Sequence, residues 1–128
     1  MQLLYDEILR RFPELRNKVA EGEEALPYVL ISRIVEWLHT YEKALHPETI
    51  RRIRDFKKWC EDQPRGATAA NDVYTIFVVG FYENLFAHEQ TQKIVPYLVS
   101  KEDLEQSADY LISWVGKENY EKTKQLFN

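Results

Sequence analysis

The chain has 128 residues, 45% of them hydrophobic and 13% aromatic, so it can bury the core of one domain without disulfide or metal staples. Its charged residues, at 30%, are too mixed in sign for a disordered polyelectrolyte, and a net charge of −4 argues against nonspecific nucleic-acid binding and against adsorption to anionic membranes. The single cysteine, Cys60, excludes an internal disulfide and fits a reducing compartment.

In chain order, Leu3, Leu4, Ile8 and Phe12 recur at helical spacing and predict a first amphipathic helix. Pro13 opens a new turn, Glu14 to Ala20 reads as a second short helix, and Gly22 is the break. A helix from about Pro27 to Leu45 follows from the stripe Leu30, Ile31, Ile34, Leu38, Tyr41 and Leu45, with Val35 and Trp37 broadening it. His46-Pro47 ends it, because the residue before a proline is pushed out of the α region, and Pro47 suits the first position of the next helix. That helix runs to about Asp62 with Ile50, Ile53, Phe56 and Cys60 inward. Gln63 to Ala70 reads as a loop.

Asn71 or Asp72 can cap the element that follows. From Val73 to Phe86 apolar side chains occur on nearly every face, which predicts a central helix over 71–88 surrounded by the others. Gly80 in its middle costs about 1 kcal/mol against alanine, and a close helix crossing would explain it. Thr91 to Val99 is a short helix bent or broken at Pro96, and Ser100 to Asp103 resembles a capping box. The helix it opens carries Leu104, Ala108, Leu111, Ile112 and Val115 and stops at Gly116; Lys117 to Phe127 is a final amphipathic segment anchored by Tyr120 and Phe127. Residues 26–30 (Leu-Pro-Tyr-Val-Leu) and 95–99 (Val-Pro-Tyr-Leu-Val) echo each other without a fixed period.

No run alternates at period two. The fold class expected is therefore all-α: one domain over residues 1–128, a bundle or a short stack of αα-hairpins with about six or seven helices around the buried helix 71–88. The longest apolar run, Ile76 to Tyr82, is far short of a membrane span, and Met1 leads straight into amphipathic sequence. A cytoplasmic location is the expectation.

Phosphate loops, Cys-x-x-Cys pairs, His-Glu-x-x-His and Gly-x-Ser-x-Gly are absent, so no catalytic residue, cofactor or metal ligand is assigned. Asn84 and His88, four apart, would share a side of the central helix and could line a pocket near Tyr74 or Tyr82; otherwise Asn84 bonds backbone and His88 favours the helix dipole. Arg51, Arg52, Arg54, Lys57 and Lys58 make one basic helix, over 51–58, either a nucleic-acid stripe or a solvated face. Acidic residues cluster at Glu21, Glu23 and Glu24 and again at Glu102, Asp103 and Glu105, a surface suited to a basic protein partner or simply to loops and a first helical turn. Glu36 and Glu83, though set in apolar stretches, read as edge residues.

Arg11-Phe12-Pro13-Glu14-Leu15 at the end of the opening helix, Phe81-Tyr82-Glu83-Asn84-Leu85 and Trp114-Val115-Gly116 resemble a broad group of small all-helical bacterial proteins of unknown function, some encoded beside toxin genes. The resemblance implies a helical fold, no catalytic residues and a role in toxin immunity. The expected function is thus non-catalytic protein binding, with occlusion of a cognate toxin as one form of it. A small-ligand or regulatory domain with a pocket near the end of the central helix is the alternative, and nucleic-acid binding through 51–58 is a further one. Oligomeric state and partner identity are left open.

Overall fold

The computed structural model describes residues 2–41 and 44–127, and every regular element among them is helical. Eight α-helices follow one another: α1 Gln2–Arg11, α2 Pro27–Thr40, α3 Pro47–Glu61, α4 Val73–Phe86, α5 Glu89–Gln92, α6 Lys101–Gln106, α7 Ala108–Val115 and α8 Lys117–Lys124. Short 3-10 turns at Pro13–Leu15, Glu23–Ala25, Ala69–Asn71 and Val95–Tyr97 link them. The buried apolar side chains form one continuous cluster from Leu4 in α1 to Tyr120 in α8.

The centre of that cluster is α4. Eight of its residues are buried, and only Glu83 is exposed. It lies most extensively against α2 and next against α3. Gly80 explains the first crossing: a Cβ there would sit 3.2 Å from Ile31 Cγ2 and 3.3 Å from Ile31 Cβ. Aromatic rings connect the halves of the core. Trp37 and Phe12 meet edge-on at 5.8 Å, Phe12 and Phe56 at 5.7 Å, Phe56 and Phe77 at 5.7 Å, and Phe77 stacks on Phe81 at 4.8 Å. Such offset and edge-to-face pairs add to area burial.

Several helices are shorter than their apolar stripes suggest, and each truncation has a local cause. The segment from Glu14 to Ala20 keeps only the Pro13–Leu15 turn. Helix α2 stops at Thr40 rather than Leu45. The Thr40 hydroxyl donates back to Trp37 O at 3.2 Å, and Tyr41 leaves the helical region (ψ 113°) with its ring stacked on Trp37 at 4.6 Å. Leu45 is 45% exposed and takes no part in the core; Glu42 and Lys43, which the longer helix would have contained, lie outside the described residues.

Helix α4 ends at Phe86, not at His88, because two buried side chains from α5 complete its C-terminus. Thr91 Oγ1 donates to Leu85 O at 2.7 Å, and Gln92 Nε2 donates to Phe86 O at 2.7 Å. These bonds satisfy carbonyls that no later turn of helix could reach. The helix expected to run unbroken to Gly116 is split at Ser107 (φ −97°, ψ 9°), giving α6 and α7. Gly116 sits at φ +86°, where a side chain would be strained, and so turns the chain from α7 into α8. The echo between 26–30 and 95–99 is not structural: the first opens a helix of 14 residues, the second is a 3-10 turn.

The loop expected at Gln63 to Ala70 is held by Asp72. Arg65 Nε lies 3.0 Å from Asp72 Oδ1, Gly66 N donates to the same oxygen at 2.9 Å, and Thr75 Oγ1 donates to Oδ2. The side chain that the sequence offers as a helix cap serves the loop instead, while Asn71 forms a capping box with Thr68 in the preceding 3-10 turn. Arg65, then Thr75 and the Gly66 amide, hold the Asp72 carboxyl well below the usual carboxylate range. A carboxyl depressed in the folded state stabilises the fold fully above its unfolded pKa, about 3.9, and loses that contribution as pH falls toward its folded value. Asp72→Asn is therefore expected to lower the melting temperature at pH 7, with the gap to the parent protein narrowing progressively as pH falls below about 4. A gap that stays constant from pH 7 to pH 3 would show that the charge on Asp72 plays no part.

Candidate functional site

One side of α4 is not covered by another long helix. Tyr74, Val78, Tyr82 and Phe86 recur every fourth residue along it and form one wall and the floor of a cleft of about 390 Å³. Lys57 and Glu61 from α3 close one end. Asp103 and Leu104 from α6, with Tyr110, Leu111 and Trp114 from α7, make the opposite wall. The floor is buried and the rim exposed: Tyr82 and Phe86 are buried, Tyr74, Val78 and Trp114 are half-buried, and Tyr110 is 67% exposed.

The Tyr82 hydroxyl stands out chemically. It is buried and has no hydrogen-bond partner among the described residues. Buried hydroxyls are normally satisfied, since an unmet one costs about 1–3 kcal/mol. Burial pushes the phenol above its ordinary pKa, so it is neutral, with one proton to donate and lone pairs to accept. The Glu61 and Asp103 carboxylates act on it in the same direction through their negative charge.

Charge around the cleft is uneven. The Lys57 ammonium is already engaged, donating to Leu98 O at 3.1 Å and lying 3.8 Å from Glu61. Asp103 has no ion-pair partner among the described residues; its backbone N–H is taken by the Ser100 cap at 3.0 Å. Outside the lining, Arg65, held by Asp72, lies 5.7 Å from the centre of the Tyr74 ring.

The pocket pair expected from sequence is not assembled. Asn84 and His88 do not share a helix, because α4 ends between them. The Asn84 amide donates along its own helix to Gly80 O at 2.6 Å. His88 is exposed at the start of α5, its ring 4.6 Å from that of His39. Neither lines the cleft. Tyr74 and Tyr82, expected only as neighbours of that pocket, do line the cleft, and Tyr82 is its central residue. Its signal was the four-residue repeat of Tyr74, Val78, Tyr82 and Phe86, hidden in a helix apolar on all sides.

The two acidic clusters part company. Glu23 pairs with Arg33 and accepts from Ala20 N at 2.8 Å, and Glu24 accepts from Gly22 N at 2.9 Å. Glu23 thus ties the 3-10 turn to α2, Glu24 closes onto the turn's own backbone, and Glu21 is exposed beside them. Glu102, Asp103 and Glu105 are exposed on α6, and Asp103 borders the cleft.

In the basic helix Arg52 and Lys57 are half-buried, while Arg51, Arg54 and Lys58 are exposed. Arg52 donates to Arg11 O at 2.6 Å and to Glu14 at 2.7 Å, with its guanidinium 5.0 Å from the centre of Phe12. Arg54 donates to Tyr97 O at 2.7 Å, Arg51 pairs with Glu48 and Asp55, and Lys58 with Asp62. All five have a partner within the chain, Arg51, Arg54 and Lys58 from exposed positions. Glu36 and Glu83 are exposed edge residues. Cys60 is buried with its thiol pushed up to about 12 by burial. Among the described residues no three of His, Cys, Asp and Glu gather as a metal site, and no helix is long and apolar enough to cross a membrane. Compared with protein-family models, curated proteins and solved structures, the chain matches none of them.

Proposed function

We propose that this chain is a non-catalytic protein-binding domain whose recognition element is the cleft between α3, α4, α6 and α7. The observation that carries the reading is Tyr82, which lines an aromatic cleft with an exposed rim and holds a buried hydroxyl without a hydrogen-bond partner among the described residues. Deep apolar pockets with one unmet polar group are where partner side chains anchor, and exposed aromatics such as Tyr110 are frequent hot spots. The α6 carboxylates beside the rim would steer a basic partner and raise its association rate. Neutralisation of a toxin by occlusion, the role implied by the resemblance to small helical bacterial proteins, is one form of this function, and cytoplasmic action fits it.

Co-expression with the products of neighbouring open reading frames supplies the test. A neighbour product is expected to co-purify, and Tyr110→Ala is expected to weaken the isolated complex about tenfold in calorimetry, with unchanged helical circular dichroism. Asp103→Lys should slow association. Binding that neither substitution moves, or no binding by any neighbour product, overturns the proposal. The alternative of a small-ligand domain is favoured by the cleft volume, which falls in the range of small-molecule sites. It differs in one outcome: a purified metabolite, not a protein, would then raise the melting temperature.

A further inference from the structure

The geometry points to a specific chemistry for the group that enters the cleft: we infer that it is the cationic side chain, lysine or arginine, of a basic protein partner, seated against Tyr74 and Trp114 with its N–H accepted by the Tyr82 hydroxyl. The inference rests on the reading of the cleft as a protein-binding site and adds the charge of the ligand.

Three independent observations carry it. The lining holds one cation and two carboxylates, and the cation, Lys57, is already bound by Leu98 O and Glu61. That leaves Asp103 as a charge unpaired among the described residues, and an incoming cation would complement it. Next, the walls are built from tyrosine and tryptophan rings, whose negative faces attract ammonium and guanidinium groups. Arg65 already lies over the Tyr74 ring at 5.7 Å, so the chain itself places a guanidinium against one ring of this set. Last, the buried Tyr82 hydroxyl lacks a partner among the described residues, and Tyr82 is 7% exposed. A phenol oxygen accepts from N–H donors, and both cationic side chains carry only donors. The apolar stem of either side chain would lie along Val78 and Leu111, as long cationic side chains do on apolar surface.

Hexapeptides of glycine and serine with one central Arg, Lys, norleucine or Glu are the probes, titrated into the full chain and followed at the Trp114 indole N–H by NMR. The Arg or Lys peptide is expected to bind and shift that signal, with the norleucine peptide at least tenfold weaker and the Glu peptide silent. Tyr82→Phe should weaken the cationic peptide about threefold or more while raising the melting temperature, since it removes an unmet buried hydroxyl. Asp103→Asn should weaken it as well and reduce its salt dependence. Equal binding of the norleucine peptide, or stronger binding of the Glu peptide, overturns the inference. So does silence from every peptide. If all are silent while Tyr110→Ala still disrupts the captured partner, the cation fails and the binding cleft stands; if partner capture is also unmoved, both fail.

Discussion

Phe77→Ala is expected to lower the unfolding free energy by about 3–5 kcal/mol, the range for deleting a fully buried aromatic ring. Phe77 has no exposed surface and meets three other rings: Phe81 at 4.8 Å, Phe56 at 5.7 Å and Tyr82 at 6.0 Å. It joins the aromatic chain that starts at Trp37 to the floor of the cleft. Truncation removes transfer free energy and leaves a void bounded by side chains of α3 and α4, which cannot collapse together while Gly80 keeps α4 docked on α2. Native stability of a domain this size is commonly about 5–15 kcal/mol, so the variant sits near the edge of folding. Urea unfolding is the measurement, with the denaturant slope unchanged and the midpoint displaced. The matched control is Tyr97→Ala, 50% exposed, expected within about 0.5 kcal/mol of the parent. A loss below about 1 kcal/mol at Phe77 would mean that the ring chain does not bear on stability.

The second large effect concerns the α2–α4 crossing. Gly80→Leu is expected to cost about 2–3 kcal/mol, as inserting methylenes into a tight contact forces side chains off their rotamers and shifts backbone. The nearest obstacles are Ile31 Cγ2 and Cβ, at 3.2 and 3.3 Å from an added Cβ, with Tyr28 Cδ1 at 3.5 Å. The double variant with Ile31→Ala, which vacates that space, should be more stable than the sum of the single losses by at least about 1 kcal/mol. Strict additivity would separate the cost of Gly80→Leu from the helix crossing. The glycine is thus expected to earn its roughly 1 kcal/mol propensity penalty through close approach.

Much of the fold was legible because its signals are local. The apolar stretch from Val73 to Phe86 announces a surrounded helix, His46-Pro47 the start of α3, and Ser100 the cap of α6. What was not legible depends on groups distant in sequence or on one bond competing with another. Nothing around Leu85 tells that Thr91 and Gln92 will take its last carbonyls and end α4 two residues early. Tyr41 reads as one more stripe position, yet its stacking on Trp37 accompanies the end of α2. The site fared worse than the fold. Asn84 and His88 look paired only if the helix continues, and it does not. Tyr82 looks like core because its neighbours are, and only the missing partner of its hydroxyl marks it out.

The split at Ser107 gives the cleft two unlike walls. The α4 wall belongs to the centre of the core, but α6 buries only Leu104 and α7 only Leu111, with the Tyr120 hydroxyl bracing Leu104 O at 3.4 Å. Segments with few buried anchors are the ones whose local opening costs least. Recognition at the proposed cleft would accordingly be asymmetric: a firm template on one side and a yielding jaw on the other. Part of the free energy of any contact made there goes into ordering that jaw, so affinity depends on how well an occupant immobilises α6 and α7 as much as on what it touches.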